Sequence, residues 1–501
     1  MTAAAHNLVV MHAADSPAEP KRFGLGHWMR KVLEECDKAR HEFAPDPVHD
    51  LRVAIRRCRS LADGLMTLDS RPDWKKMKRA GRQLFRELGA LRDIQVMAEW
   101  VKQLAPADDP AAATLLGQIA AQEPLLKQAS LAALDAFDRE RWEQWADLLP
   151  KRADRVAPGS LAFRHLALER WHGAHELHRR ALRNSSKTSF HQLRIGLKKF
   201  RYTVENFLPQ LHQAWGDDLK KLQDWLGEVH DLDVLWATAL KTKAFPDAAA
   251  RSFWREKIEA ERNRRLQEYR DKMTGPAALW QVWRAELPQG DDIEAGALER
   301  VRIWAAFLDP EISHAENVTR SALQLFDGLA ETGFAPRPRN ARARMILQVA
   351  ALAHDVGRAQ RERRHQKVSA RYLREMNPPF GWKAQDLQLA ALVARYHRGA
   401  LPAPTQNRFA RLPEGQKNLV TFLAGILRLA EALSGYAKRQ AHGIQVKQTG
   451  DHLTVWAHGI VADGKAPEKI AAARHLLEVA CACPILVREG GPRSRRNPPL
   501  S

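Results

Sequence analysis

A chain of 501 residues, 45% of them hydrophobic, is too long for one ordinary domain and apolar enough to bury real cores, so roughly two to four domains are expected. Its 79 lysines and arginines outnumber its 59 aspartates and glutamates, and the net charge of +20 points to a polyanionic partner: nucleic acid, anionic lipid or polyphosphate. The four cysteines, Cys36, Cys58, Cys481 and Cys483, form no C-x-x-C pair and support neither a disulfide framework nor a zinc knuckle, so a reducing compartment is expected. No cationic segment precedes the short apolar run Leu8 to Met11, and no stretch of about 18 apolar residues occurs elsewhere. A soluble, cytoplasmic protein without membrane insertion is therefore expected.

Residues 1–18 are small, polar and Pro-containing and read as disordered. From 19 to 286 the period is helical, with breaks at Ala44 to Pro47, Ser70 to Pro72, Pro106 to Pro110, Pro158-Gly159, Asn184 to Ser186 and Gly275-Pro276. Inside this region one pattern is written twice, about 140 residues apart. His49 is followed by Arg52, Arg56, Arg57 and Arg59, and His191 by Arg194, Lys198, Lys199 and Arg201, at the same offsets. At about 100° per residue, the histidine and the cations at +3, +7 and +10 fall within about 80° of one another, beside an apolar face.

Two further features follow in register. Leu88-Gly89-Ala-Leu-Arg92-Asp93 lies downstream of the first ridge and Leu226-Gly227-Glu-Val-His230-Asp231 downstream of the second, which makes two duplicated halves, 19–157 and 158–286. Lys75, Lys78, Arg79, Arg82 and Arg86 share one further helix face, whereas Lys220 and Lys221 in the second half stand among acids. A single basic ridge is ordinarily a solvated face. Here the acids that would neutralise it at +4 are scarce and the ridge recurs, which favours an anion site. Taken singly, His49 and His191 read as helix-start residues near Pro47 and Ser189.

These repeated motifs resemble the CHAD domain, the conserved-histidine α-helical domain, over 19–286. The resemblance implies an all-helical pair of bundles whose basic groove binds inorganic polyphosphate. The implied contacts are His49, Arg52, Arg56, Arg59, His191, Arg194, Lys198 and Arg201, with Arg57, Lys199, Arg79, Arg82 and Lys220 as further contributors. The Glu-x-Glu-x-Lys motif of the triphosphate-tunnel domains that often accompany this family is absent from the sequence.

Residues 287–295 read as a Pro/Gly/Asp linker, and 296–440 as a second helical region. There an apolar helix runs into His354-Asp355, with His314 before it and His365, His397 and Glu431 after it. A neutral imidazole beside a carboxylate is half of a divalent-metal site. In the segment 441–489 the period changes to alternation around Thr449-Gly450-Asp451, as in a hairpin, followed by a helix and a last short strand at Ile485 to Val487. Residues 490–501 form a basic, Pro-rich tail that reads as disordered.

The order of these histidines and acids resembles the HD-domain metal-dependent phosphohydrolases. Leu352-Ala-His-Asp-Val-Gly357, Val393 to Arg398 and Ile426 to Leu433 are closer still to the C-terminal region of the exopolyphosphatase and guanosine pentaphosphate phosphohydrolase family. The resemblance implies a metal set of His314, His354, Asp355, His365, His397 and Glu431 for Mg, Mn or Fe, with His354 and Asp355 as catalytic candidates. The alternative is that these residues now make structural hydrogen bonds. Glu431 stands where the HD pattern has Asp, and the actin-like phosphatase module of that family is missing. The expected protein is mainly α. It binds inorganic polyphosphate on a basic helical groove that targets the HD-like domain, or it is a metal-dependent phosphohydrolase of polyphosphate or a phosphorylated nucleotide. Nucleic-acid binding ranks third, because Phe200 and Tyr202 are the main rings near the ridges. Association with polyphosphate granules follows from the resemblance.

Overall fold

Helical periodicity broken by proline and capping residues gives a mainly α fold, which the computed structural model describes for residues 24–41, 43, 45–106, 108–332, 340–435, 443–459 and 466–490. The segment expected to be disordered at 1–18, and the tail beyond Gly490, lie outside these residues. In chain order the helices are α1 (Leu25–His41), α2 (Pro45–Leu65), α3 (Pro72–Leu104), α4 (Pro110–Asp135), α5 (Arg139–Ala153), α6 (Leu161–Asn184), α7 (Lys187–Phe207), α8 (Pro209–Lys241) and α9 (Ala248–Met273). They continue as α10 (Leu279–Ala285), α11 (Asp291–Leu308), α12 (Ile312–Ala330), α13 (Ala341–Ala353), α14 (His365–Glu375), α15 (Ala384–Tyr396), a single turn α16 (Asn407–Ala410), α17 (Glu414–Gly435) and, beyond the hairpin, α18 (Ala466–Cys481). Strands β1 (Ile444–Thr449) and β2 (His452–Ala457) pair antiparallel, and β3 (Ile485–Glu489) joins β2 in parallel, in the order β1-β2-β3. The starts follow local chemistry: Pro72 and Pro110 open their helices, and the Asp109, Ser186 and Asn340 side chains accept from backbone N–H groups three residues on.

The chain forms two compact units. The first takes in the described residues of 1–65, 71–157 and 224–268. Within it α2 packs on both α1 and α3, burying Leu51, Ala54, Ile55, Cys58 and Ala62. That apolar stripe turns Arg52, Arg56 and Arg59 to its other side, where they are half-buried. Trp142 is fully buried, and its indole N–H donates to the Met29 carbonyl at 3.0 Å.

The second unit takes in 66–70, 158–223 and the described residues from 269 onward. Here α7 lies against α6, where a Cβ on Gly196 would come within 2.7 Å of Leu177. A single apolar core joins α12, α13, α15, α17, α18 and the sheet. Among the described residues α17 is the helix long and apolar enough to cross a membrane, and its apolar side chains, Leu419 to Leu433, are spent on this core. Helix α6 also packs on α11. His165, fully buried, donates from Nε2 to the Phe380 carbonyl at 3.0 Å and accepts at Nδ1 from Arg300 at 3.2 Å, while Arg300 pairs with Glu169 at 2.6 Å. Phe380 sits between α14 and α15, so this contact fixes the segment joining them.

Helices α17 and α18 cross closely, so that a Cβ on Gly425 would meet the backbone of Leu477 at 2.8 Å. Gly425→Ala should therefore cost about 1–3 kcal/mol, read as a lower Tm. Gly415→Ala on the same helix, where nothing lies within 4 Å of the added carbon, should leave Tm level or slightly raised.

Candidate functional site

On α2 the first ridge is organised around Arg52. Its guanidinium donates to the Leu88 carbonyl at 2.5 Å and lies 5.5 Å from the centre of the Phe85 ring, and a Cβ on Gly89 would approach it to 3.4 Å. Burial depresses the Arg52 pKa, Asp93 opposes that shift, and Arg56 and Arg92 add to it. The Leu-Gly-x-x-cation-Asp motif is thus the surface of α3 that receives the +3 arginine of the ridge. Arg59 lies over the same Phe85 ring at 4.8 Å, and its pKa is lowered by burial and by Arg82, with Asp63 opposing.

The structure thereby gathers Arg52, Arg56, Arg59, Arg82 and Arg92 into one patch, with His49 and Arg79 exposed on the same two helices. Arg57 does not join it: its guanidinium lies over Trp28 of α1 at 5.4 Å. The α3 stripe is less purely cationic than its spacing implies, since Lys78 pairs with Asp63 and Arg86 with Glu87.

On α7 of the second unit, His191 and Lys199 are exposed, and Arg194, Lys198 and Arg201 are half-buried. The Arg194 Nε is buried without a hydrogen-bond partner, and Arg201 has Glu205 at a loose 3.9 Å. Lys220 is exposed on α8. Phe200, expected beside the ridge, is fully buried against Trp215 and Trp283. Sequence reasoning missed Phe85 and Trp28, which reach the first ridge from other helices, and singled out Arg92 as part of the repeated motif without assigning it to the ridge; the spacing of Phe85 within the α3 stripe was the available signal.

The second candidate site lies where α12, α13, α14, α15 and α17 meet. Helix α13 ends at Ala353, and His354 caps it, donating from Nδ1 to the Ala351 carbonyl at 2.6 Å. His397 does the same after α15, to Ala394 at 2.7 Å, and His365 at the start of α14 donates to Glu362 at 3.0 Å. With Nδ1 so committed, the three buried rings present Nε2 inward. These nitrogens surround Asp355: His365 at 3.0 Å and His397 at 3.9 Å from Oδ1, His354 at 3.6 Å from Oδ2. Gly357 makes the approach possible, because a Cβ there would lie 2.6 Å from the His365 carbonyl.

Glu431 of α17 brings one oxygen to 3.1 Å from His314 Nε2 and 3.2 Å from His354 Nε2, so the longer acid spans both histidines. Arg358 donates to Asp355 Oδ2 and Glu311, each at 3.1 Å. Burial alone would raise the Asp355 carboxyl, but the His365 hydrogen bond and the charges of His354 and His397 hold it well below the usual range. Glu431 is likewise depressed against its own burial by His314 and His354. His354 rises to about 9 despite complete burial, through Glu431 and Asp355, whereas burial and His354 lower His397 to about 3.

All six residues expected as ligands are brought together, in two groups that share Asp355: His314, His354, Asp355 and Glu431, and Asp355, His365 and His397. Each group could hold a metal ion. The donor set fits one: His354 Nε2 is fully buried between two carboxylates, Glu431 at 3.2 Å and Asp355 at 3.6 Å, and a cation among these ligands would take over the role of the proton that the two acids now favour there. Sequence reasoning missed Glu311 and the buried Asp309, whose charge is felt at Asp355 and His354.

Residues 25–240 match the CHAD domain family, and residues 305–458 match Ppx/GppA phosphatase, domain III. No curated protein matches the chain. The crystal structure of the CHAD domain from the plant Ricinus communis is 22% identical, covering 53% of this chain and 90% of that one, with a TM-score of 0.36.

The Nδ1 contacts predict an observable tautomer. At pH 7 without divalent metal, His397 should be neutral and carry its proton on Nδ1, read from the ¹⁵N shifts of the labelled full chain. A proton on Nε2 would contradict the geometry.

Proposed function

We propose that this chain, a CHAD domain followed by Ppx/GppA phosphatase domain III, holds inorganic polyphosphate on its basic ridges and hydrolyses phosphate bonds at a divalent-metal centre in domain III. The observation that carries the reading is the convergence of three buried imidazoles, each fixed through Nδ1, on the Asp355 carboxylate. Surface histidines are not held in one tautomer by backbone carbonyls, whereas here all three rings turn the other nitrogen toward one carboxylate.

His314, His354, Asp355 and Glu431 would hold one cation, and Asp355, His365 and His397 a second, with Mg, Mn or Fe as candidates. When bound, a divalent metal supplies Lewis acidity and lowers the pKa of water, the two things phosphate hydrolysis needs. The chain's own part is to exclude bulk water with the apolar ends of α13 and α15, to orient Asp355 through Arg358, and to present cations to the anion.

On the ridges, close-set guanidiniums with few carboxylates suit a chain of linked phosphates. The reading is preferred to nucleic acid because the Phe85 and Trp28 faces are already covered by Arg52, Arg59 and Arg57, which leaves little ring surface for stacking bases. The same reading places the protein in the cytoplasm with polyphosphate granules.

Long polyphosphate should stay bound in the presence of excess single- and double-stranded nucleic acid; displacement already at equal phosphate would return the ridge to a general anion site. Replacing Arg52, Arg56, Lys198 and Arg201 by Ala should weaken polyphosphate binding at least about 100-fold with far-UV helicity unchanged. For the centre, metal content and phosphate release are measured together. His354→Ala and Asp355→Ala should each remove both, more than the roughly 10–100-fold cost of losing a supporting hydrogen bond. A wild-type chain that takes up no divalent metal would end the hydrolytic reading.

A further inference from the structure

Beside the histidine cluster lies a cavity of about 500 Å³ whose walls carry Arg358, Arg363, Arg364 and Arg398. It adjoins the centre directly: His365 lines it and lies 3.0 Å from Asp355 Oδ1, and Arg358 lies 3.1 Å from Asp355 Oδ2. Arg363, Arg364 and Arg398 make no ion pair among the described residues, and all three are exposed. The one carboxylate on the wall, Glu362, belongs to the residue whose backbone carbonyl anchors His365.

The cavity is built in advance of any ligand. Arg428, its pKa lowered by burial, donates to the carbonyls of Tyr396 at 2.6 Å and Gly399 at 2.5 Å, which pins the turn that carries Arg398. Gly399 holds φ +76°, and a Cβ there would meet the Gln366 amide at 3.2 Å, so the turn closes against the first turn of α14. The start of that helix, with Arg364 in the left-handed region at φ +69°, faces the same space and adds its positive end to the arginines.

What the lining lacks is equally informative. Its room alone would admit a nucleotide, since small-molecule sites span roughly 300–1,000 Å³. A nucleobase, however, is held largely by aromatic or apolar side chains, and among the described residues the one ring on this wall is His365, which is buried and turned toward Asp355. Guanidiniums on several sides suit an anion that presents oxygens in several directions, as linked phosphates do.

We infer that this arginine-walled cavity is the substrate-recognition site of the domain III centre, and that it reads linked phosphates alone: its ligand class is condensed inorganic phosphate without a nucleoside. The inference rests on the proposed hydrolytic centre for its meaning as a substrate site, and on the cavity itself for the ligand class. Arg363 and Arg398 are its principal contacts, while Arg358 stands between the bound anion and Asp355.

The test uses the full chain with the ridges neutralised by Arg52→Ala, Arg56→Ala, Lys198→Ala and Arg201→Ala, in EDTA, with binding read by calorimetry. Inorganic triphosphate should bind at one equivalent. Arg363→Gln and Arg398→Gln, both at exposed positions, should each weaken it at least fivefold, and the pair at least twentyfold, while Arg363→Lys retains part of the affinity. ATP and GTP should bind no tighter than triphosphate itself. Nucleotides binding tenfold more tightly than triphosphate would show that a base is read, and glutamine variants with unchanged affinity would place the anion elsewhere; either result overturns the inference. Divalent-metal uptake on the same preparation separates the two claims. Triphosphate binding without metal uptake keeps the recognition site and removes the hydrolytic centre, and metal uptake without triphosphate binding does the reverse.

Discussion

The second unit is organised around one buried negative charge. Moving a carboxylate out of water costs several kcal/mol even after the surroundings relax, and Asp355 is only 4% exposed. It stays ionised because one oxygen faces His365 and the other faces Arg358 and His354. Those partners come from three places in the chain, so α13, α14 and the loop between them must close together, and Gly357 is the residue whose missing side chain permits it. The apolar helices then need only fill the space behind.

Two different treatments of positive charge follow from the same principle. On α2 Arg52 and Arg59 are half-buried, laid on the Phe85 ring and, for Arg52, on the Leu88 carbonyl, which lowers their hydration. Partly desolvated guanidiniums crowding one another gain more from a polyanion than solvated ones do. Around the cavity next to His365 the arginines are exposed instead, and the rigidity is supplied by the turn that Arg428 holds. Cations spaced along a helix face meet an anion at several points, and arginines around one cavity converge on a single small volume.

Much of this was legible in the sequence. Helical spacing gave the two ridges, alternation around Thr449-Gly450-Asp451 gave the hairpin now seen as β1 and β2, and the order of histidines and acids gave the six side chains that converge around Asp355. Even the imidazole anchoring had a local cause: His354 and His397 each follow the last residue of an apolar helix, where unsatisfied carbonyls await a donor. What stayed hidden depends on which helix crosses which. Lys78 is neutralised by Asp63 from α2, Arg57 turns to Trp28 of α1, and Phe200 faces the core while Phe85 takes the ridge arginines. No period within one helix encodes the neighbour that lies across it.

The buried polar contact between α6 and the α14–α15 segment gives the second unit a functional logic. Helix α6 supports the α7 ridge on one side, through the close approach at Gly196, and on another it holds Phe380 through His165. The segment it holds joins the helix that begins with His365 to the helix that ends before His397. Because His165 is buried and commits both ring nitrogens, the contact has one geometry, and a shift of α6 would leave a buried donor or acceptor unpaired at a cost of about 1–3 kcal/mol. The second basic ridge and the histidine cluster are therefore both braced by one helix, α6, through a glycine contact on one side and a buried histidine on the other.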